Sequence, residues 1–356
     1  MEETKKIHKG FKKFILIFAV FALILMNTQV REKLLELLDG FKRNDLELTL
    51  DIQYQGENLN YFQDTLIRWQ NNTITYFNND GSDKWVKKYD FDDPEIIFGH
   101  KVIYIMNKST GDIYLMDNKG DTISRIQINK PIFNLKEFSD NIMVHVKEQD
   151  TLEYLYILDK SGNPITDLET NDNILTYGLG KDNTKFVYST LMANDTELKS
   201  TLFLNKITGD EEYSLELPNE IILFSEFLNS EVVVLTNTRL LLVKNGEVSW
   251  SKEHNGFNDI LIKGNEINLL YDNSLEVFDL SGEVKTKINL SIESNQIIDL
   301  GKYIGIHGNK DLAILQNHNE ILKYIGEEDI LKILGNNNYI AIHYLDKVDV
   351  FKLDNK

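Results

Sequence analysis

The feature that most constrains this chain is a phrase it repeats. "YIGIHGNKDLAIL" at 303–315 returns as "YIAIHYLDKVDVF" at 339–351, 36 residues later. In looser form the same pattern, an apolar strand, a polar turn and a second strand, runs through "DIYLMDNKGDTIS" (112–124), "YLYILDKSGNPIT" (154–166) and "LEVFDLSGEVKT" (275–286). The turn positions Gly81, Gly120, Gly162, Gly209, Gly246, Gly282, Asn319 and Asn355 are spaced by 39, 42, 47, 37, 36, 37 and 36 residues. Gly or Asn recurs there because a tight hairpin wants positive φ, which a Cβ penalises. Upstream of most hairpins stand two further apolar strands separated by a break, as in "EIIFGHKVIYIMN" (95–107) and "QIIDLGKYIGIH" (296–307).

Four antiparallel strands in about 40 residues are one blade of a β-propeller, a unit that buries its faces only by stacking on copies of itself. The fold class expected is therefore all-β, a β-propeller of four-stranded blades. Eight turns predict eight blades, with seven as the alternative if one hairpin serves only as closure. "LELTLDIQY" (46–54) alternates like a strand yet has no partner of its own, and the last hairpin lacks outer strands. Pairing the two would close the ring and protect its edges.

Composition narrows the function. Hydrophobic residues make up 42%, rich in Ile, Leu, Val, Tyr and Phe, with 4 Pro, which suits short strands and tight turns. A formal charge of -18 argues against a nucleic-acid partner, which needs a clustered basic face. Cysteine is absent, which excludes disulfides, thiolate metal sites, a cysteine nucleophile and acylation as a lipoprotein.

The few clustered positive charges lie at the N-terminus, where Lys9, Lys12 and Lys13 flank an apolar run from Phe14 to Met26. That is the arrangement of an N-terminus kept in the cytoplasm. No small-x-small cleavage site follows, so an uncleaved anchor is preferred to a cleaved signal peptide. The organisation expected is a basic cytoplasmic tail at 1–13, a transmembrane anchor at 14–30, a short helical stalk at 31–45 and the propeller at 46–356. Everything after the anchor would then lie on the extracytoplasmic side.

"DGSDKW" (80–85), "ITGDEEY" (207–213) and "NGEVSW" (245–250) place Trp85, Tyr213 and Trp250 four residues after a turn glycine. With the preceding apolar strand this resembles the repeat of the pyrroloquinoline-quinone-type (PQQ-like) propellers. The resemblance implies that each of these aromatics docks on the neighbouring blade. Quinoprotein dehydrogenases of that class hold their cofactor beside adjacent cysteines, which this chain lacks, so the resemblance points to the non-enzymatic branch and to no cofactor. In architecture the chain is similar to the outer-membrane assembly propeller of Gram-negative bacteria. As a membrane-anchored form it resembles an uncharacterised single-pass propeller family of bacteria.

Candidate chemistry is sparse. His307 and His343 occupy one position in successive repeats and are the only candidates for a shared metal, but no third ligand recurs with them; the reading is no metal. The acidic turns "DNKGD" (117–121) and "NNDGSD" (78–83) lack the ligand spacing of a calcium loop, and hairpin turns favour these residues for backbone reasons. "GLGKDNTK" (178–185) lacks P-loop spacing and reads as a turn. No nucleophile–base order is visible. The function expected is a membrane-tethered, non-catalytic protein-interaction scaffold of the bacterial cell envelope, whose partner is another envelope protein. The alternative is an exported hydrolase or lyase with carboxylates gathered in the central funnel.

Overall fold

The computed structural model describes residues 46–53, 59–62, 65–77, 82–148, 152–194 and 197–353. Lys9, Lys12 and Lys13, the anchor expected at 14–30, the stalk at 31–45 and the turn residues Gly81 and Asn355 lie outside them. Among the described residues no helix is long and apolar enough to cross a membrane.

The strands form eight four-stranded sheets in an antiparallel meander, so the count is eight blades and not seven. Blades 1 to 7 are contiguous in sequence, at 59–88, 94–127, 132–170, 173–218, 222–253, 259–289 and 296–325. Blade 8 supplies only three strands of its own: Lys332–Gly335, Tyr339–His343 and Lys347–Lys352. Its fourth comes from the other end of the chain, where β1 (Glu47–Gln53) pairs antiparallel with β32 (Lys347–Lys352), from Glu47 opposite Lys352 to Gln53 opposite Lys347. The orphan strand and the incomplete last hairpin of the sequence therefore complete each other.

The core is a ring rather than a centre. One cluster of buried apolar side chains fills each junction between neighbouring blades, for example Val187, Leu202, Val232 and Leu241 between blades 4 and 5. The circle ends where Leu59 and Phe77 of blade 1 meet Val348 and Val350 of blade 8. Middle strands are sandwiched on both faces and read as continuous apolar runs, such as "IYIMN" at Ile103–Asn107, fully buried. Fourth strands are half-solvated and alternate, such as "DKWVKK" at Asp83–Lys88.

Turn chemistry follows the glycines. Gly120, Gly162, Gly209, Gly246 and Gly282 all have φ between 81° and 95°, and a register shift adjoins the last hairpin of every blade from 1 to 7. Blade 7 departs from the expected phase. Asn319 opens its strand (Asn319–Ile325), and the left-handed pair is Asn317 and His318, at φ 48° and 65°. Two consecutive left-handed residues make a two-residue hairpin, so the turn centre falls before the Asn that the spacing had selected.

In a meander the loops after the first and third strands share one face of the ring, and the loops after the second and fourth share the other. The first face, called the hairpin face below, carries the glycine turns. Leu46, which leads into β1, also stands on it. The opposite face, called the crossover face, carries the connections from one blade to the next.

Candidate functional site

The first strands of the blades line the central channel. In blades 3, 4 and 5 each is bulged at the same place, after Ile132, Ile174 and Ile222. The extra residues are Phe133, Leu175 and Leu223, and Phe133 and Leu223 stay 55% and 48% exposed. A β-bulge re-aims a side chain at the edge of a sheet, and here the effect is repeated in three consecutive blades.

Beside these bulges lies a cavity of about 560 Å³ spanning the first strands of blades 2 to 5, with walls that include Ile97, Leu135, Phe138, Leu175, Leu223 and Phe224. Blades 4 and 5 are pulled close at this point. Thr176 Oγ1 lies 2.7 Å from Ser189 Oγ and 2.6 Å from Ser225 Oγ, a hydroxyl chain across the blade junction. At Gly178 a Cβ would meet the Ser225 carbonyl oxygen at 3.7 Å, an ordinary contact, so the approach of the two strands does not depend on the glycine.

Three charged side chains enter the cavity, and they differ in how well the protein satisfies them. Burial works against the Glu137 charge, but the His100 backbone N–H, the Lys160 ammonium 3.0 Å away, the His100 ring and the Tyr104 hydroxyl at 3.0 Å outweigh it and hold the carboxyl below its usual range. Lys136 donates to the Tyr177 carbonyl oxygen at 3.2 Å and stands 4.5 Å from the centre of the Tyr177 ring. Desolvation lowers its pKa despite the field of Glu226. Glu226 is pushed the other way by desolvation, only partly offset by Lys136 and Lys181. No ion pair joins Lys136 to Glu226.

The remaining sequence candidates sit apart from this cavity. His307 is buried, with Nδ1 3.0 Å from the Gly308 carbonyl oxygen and Nε2 3.0 Å from Gln296 Oε1, so both ring nitrogens are engaged within blade 7. His343 is buried in blade 8, and its Nε2 has no partner. Burial and the neighbouring Lys332 push it down to about 4. Among the described residues no group of three or more His, Asp or Glu is placed to hold a metal ion. The acidic turn at 117–121 closes on itself, since Asp117 Oδ1 accepts from the Lys119 and Asp121 N–H groups, as Asp159 Oδ1 does from those of Ser161 and Asn163, each within 2.9 Å, while most of the turn at 78–83 lies outside the described residues. Gly180 accepts from Asn183 and donates to Lys185 in the turn between the first two strands of blade 4.

The three aromatics lie at blade junctions. A Cβ added to Gly120, Gly246 or Gly282 would meet Trp85, Tyr213 or Trp250 of the preceding blade at 3.2, 2.9 and 2.6 Å. Trp250 Nε1 also donates to the Leu280 carbonyl oxygen of blade 6 at 2.9 Å. Where the pattern lacks an aromatic, Ile126 covers Gly162 and Thr166 covers Gly209. A buried junction that the sequence did not signal ties blade 3 to blade 4: Glu153 accepts from His145 Nε2 and the Ile174 N–H, both at 2.8 Å, and from Lys147 at 2.7 Å.

Charge divides the two faces. Among the described loop residues the crossover face holds twelve carboxylates and three lysines, the hairpin face seven and five. The crossover carboxylates gather at Asp90, Asp92 and Asp93 and at Glu327, Glu328 and Asp329. Beside the second group Leu331 and Leu345 are 59% and 72% exposed, and the Leu331 N–H donates to the carbonyl oxygen of His343, two positions before Leu345, at 2.8 Å.

Comparison with known proteins bears on the fold and the family. BamB from Moraxella catarrhalis is similar over 87% of this chain and 100% of its own, at 12% identity and a TM-score of 0.55. Sqt1 from Saccharomyces cerevisiae is similar over 87% and 98%, at 11% identity and a TM-score of 0.59. BBS1N, solved in complex with ARL6DN, covers 88% and 98%, at 7% identity and a TM-score of 0.50. At such identities the likeness is one of fold. No curated protein matches in sequence. Residues 40–353 match the model of a family of unknown function, DUF5711.

Proposed function

The chain belongs to DUF5711, a family of unknown function, and from that premise we propose that it is a non-catalytic protein-interaction scaffold, tethered by residues 14–30 to the bacterial cytoplasmic membrane with its propeller outside. The observation that carries this reading is the charge difference between the faces. A tether that enters at Leu46 joins the hairpin face, where carboxylates and lysines nearly balance, so that face suffers little repulsion from anionic lipid. The acidic crossover face, with Leu331 and Leu345 exposed on it, then points outward. Apolar side chains ringed by carboxylates suit a partner protein that presents an apolar residue among lysines or arginines. A propeller among the structural neighbours, BBS1N, was solved with a protein partner, which is in keeping with this use of the fold.

The test is in-cell cross-linking and co-purification of the tagged full-length chain, beside residues 1–45 alone and beside a Glu327→Lys/Glu328→Lys/Asp329→Lys variant. Envelope proteins that follow the full chain and are lost from both controls are the expected result. The same set captured by residues 1–45, or retained by the variant, would refute the reading. A reporter fused after Lys356 should be active outside the membrane, and the chain should resist high-salt extraction.

A further inference from the structure

The channel cavity is a separate matter from the acidic face. Its 560 Å³ is the size of a small-molecule site and its walls are mostly apolar. Two opposite charges, Lys136 and Glu226, stand exposed to the channel in it without pairing with each other. Glu137 is saturated by donors from three residues, and its neighbour in sequence, Lys136, is held by one carbonyl oxygen and the face of a ring. Glu226 has only the more distant fields of Lys136 and Lys181. Two unlike charges that share a pocket without pairing are each served by a ligand that brings both countercharges. A ligand with a single charge would satisfy one and repel the other.

We infer that the cavity of blades 2 to 5 binds a small zwitterion of the amino-acid type, its carboxylate on Lys136, its ammonium on Glu226 and an apolar side chain against Ile97, Leu175 and Leu223. Such a ligand has two sources, free amino acids and short peptides. Both side chains reach the channel water yet are ringed by protein, which lowers the Lys136 pKa and raises that of Glu226, and a ligand that supplies the opposite charges offsets this.

The test is titration calorimetry on the full-length chain in detergent, with leucine, leucyl-leucine, N-acetylleucine and leucinamide as probes. Leucine or leucyl-leucine should bind, and whichever binds more tightly identifies the source. Capping either charge should weaken binding at least tenfold, as should Lys136→Met and Glu226→Gln, with Lys136→Arg retaining most of the affinity. Thermal melts of each variant separate lost binding from lost folding. The inference is overturned if no zwitterion binds at millimolar concentration, if the capped probes bind as well as leucine, or if folded Lys136→Met and Glu226→Gln keep wild-type affinity. None of these outcomes touches the acidic face, so the scaffold reading stands or falls separately.

Discussion

The two faces of the ring are built from the same repeat and put their loops to different uses. On the hairpin face most turns are fixed by a left-handed glycine, and the fourth strand of the preceding blade lays a side chain over it, as Trp250 does on Gly282. On the crossover face the loops between blades vary in length from two to six residues and carry most of the surplus negative charge. The hairpins hold neighbouring blades in register. The crossovers, relieved of that duty, are free to carry recognition, which is the usual division between scaffold and loops.

This contrast can be broken most severely at Gly282. Its φ of +81° disfavours any Cβ, and the added atom would stand 2.6 Å from the Trp250 ring, so Gly282→Ala should cost about 3 kcal/mol in chemical denaturation. Trp250→Ala with Gly282→Ala should cost less than the two separately, because the clash partner is gone. Additive losses would show that the junction does not couple them.

Next in size is a pH effect on the crossover side. Burial and Lys332 lower His343 from 6.5 to about 4. The unfolded chain takes up its proton near the ordinary value and the folded chain does not. The contribution is therefore fully present above about 6.5 and lost as pH falls to about 4, a loss of at most ~3 kcal/mol. Melts across that range should show His343→Asn with a flatter acid limb than wild type, and parallel limbs would contradict the assignment.

Asn317→Ala tests a hairpin where the left-handed residue, at φ 48°, is not glycine. The backbone penalty alone predicts a loss of about 1 kcal/mol, well short of Gly282→Ala. Equal losses at the two sites would mean that neighbour contacts matter little. The smallest effect is expected from Glu327→Gln/Glu328→Gln/Asp329→Asn. The nearby pairs, Lys310 with Asp329 at 3.8 Å and Lys347 with Glu328 at 3.6 Å, lie at the surface. The melting midpoint should move by less than the equivalent of about 1 kcal/mol, while capture of a basic partner should fall.

The blade count and the closing strand were legible because both rest on periodicity, of turns at about 40 residues and of side chains at two. Among the described turns the phase slipped at Asn319, where the left-handed pair Asn317 and His318 replaces a turn closed by glycine. The channel was far less legible. Lys136 and Glu226 are exposed to the channel, and the bulges at Phe133, Leu175 and Leu223 break the strand alternation that would have marked the channel side. His307 and His343 did recur at one blade position, but their surroundings differ: Gln296 meets one ring where Lys332 meets the other. Sequence spacing identifies equivalent positions, and the facing strand decides what each can do.

The seam between β1 and β32 also has a meaning in time. Thr49 Oγ1 donates to the Val350 carbonyl oxygen across 301 positions of chain. A ribosome delivers β1 among the first residues of the propeller and its partner among the last, so this strand waits with an open edge for nearly the whole of synthesis. Such distant pairing is slow to find, and an unpaired edge accepts whatever strand arrives first. The hazard of this ring therefore falls on its birth, when the strand that should close it is equally available to another copy of the same chain.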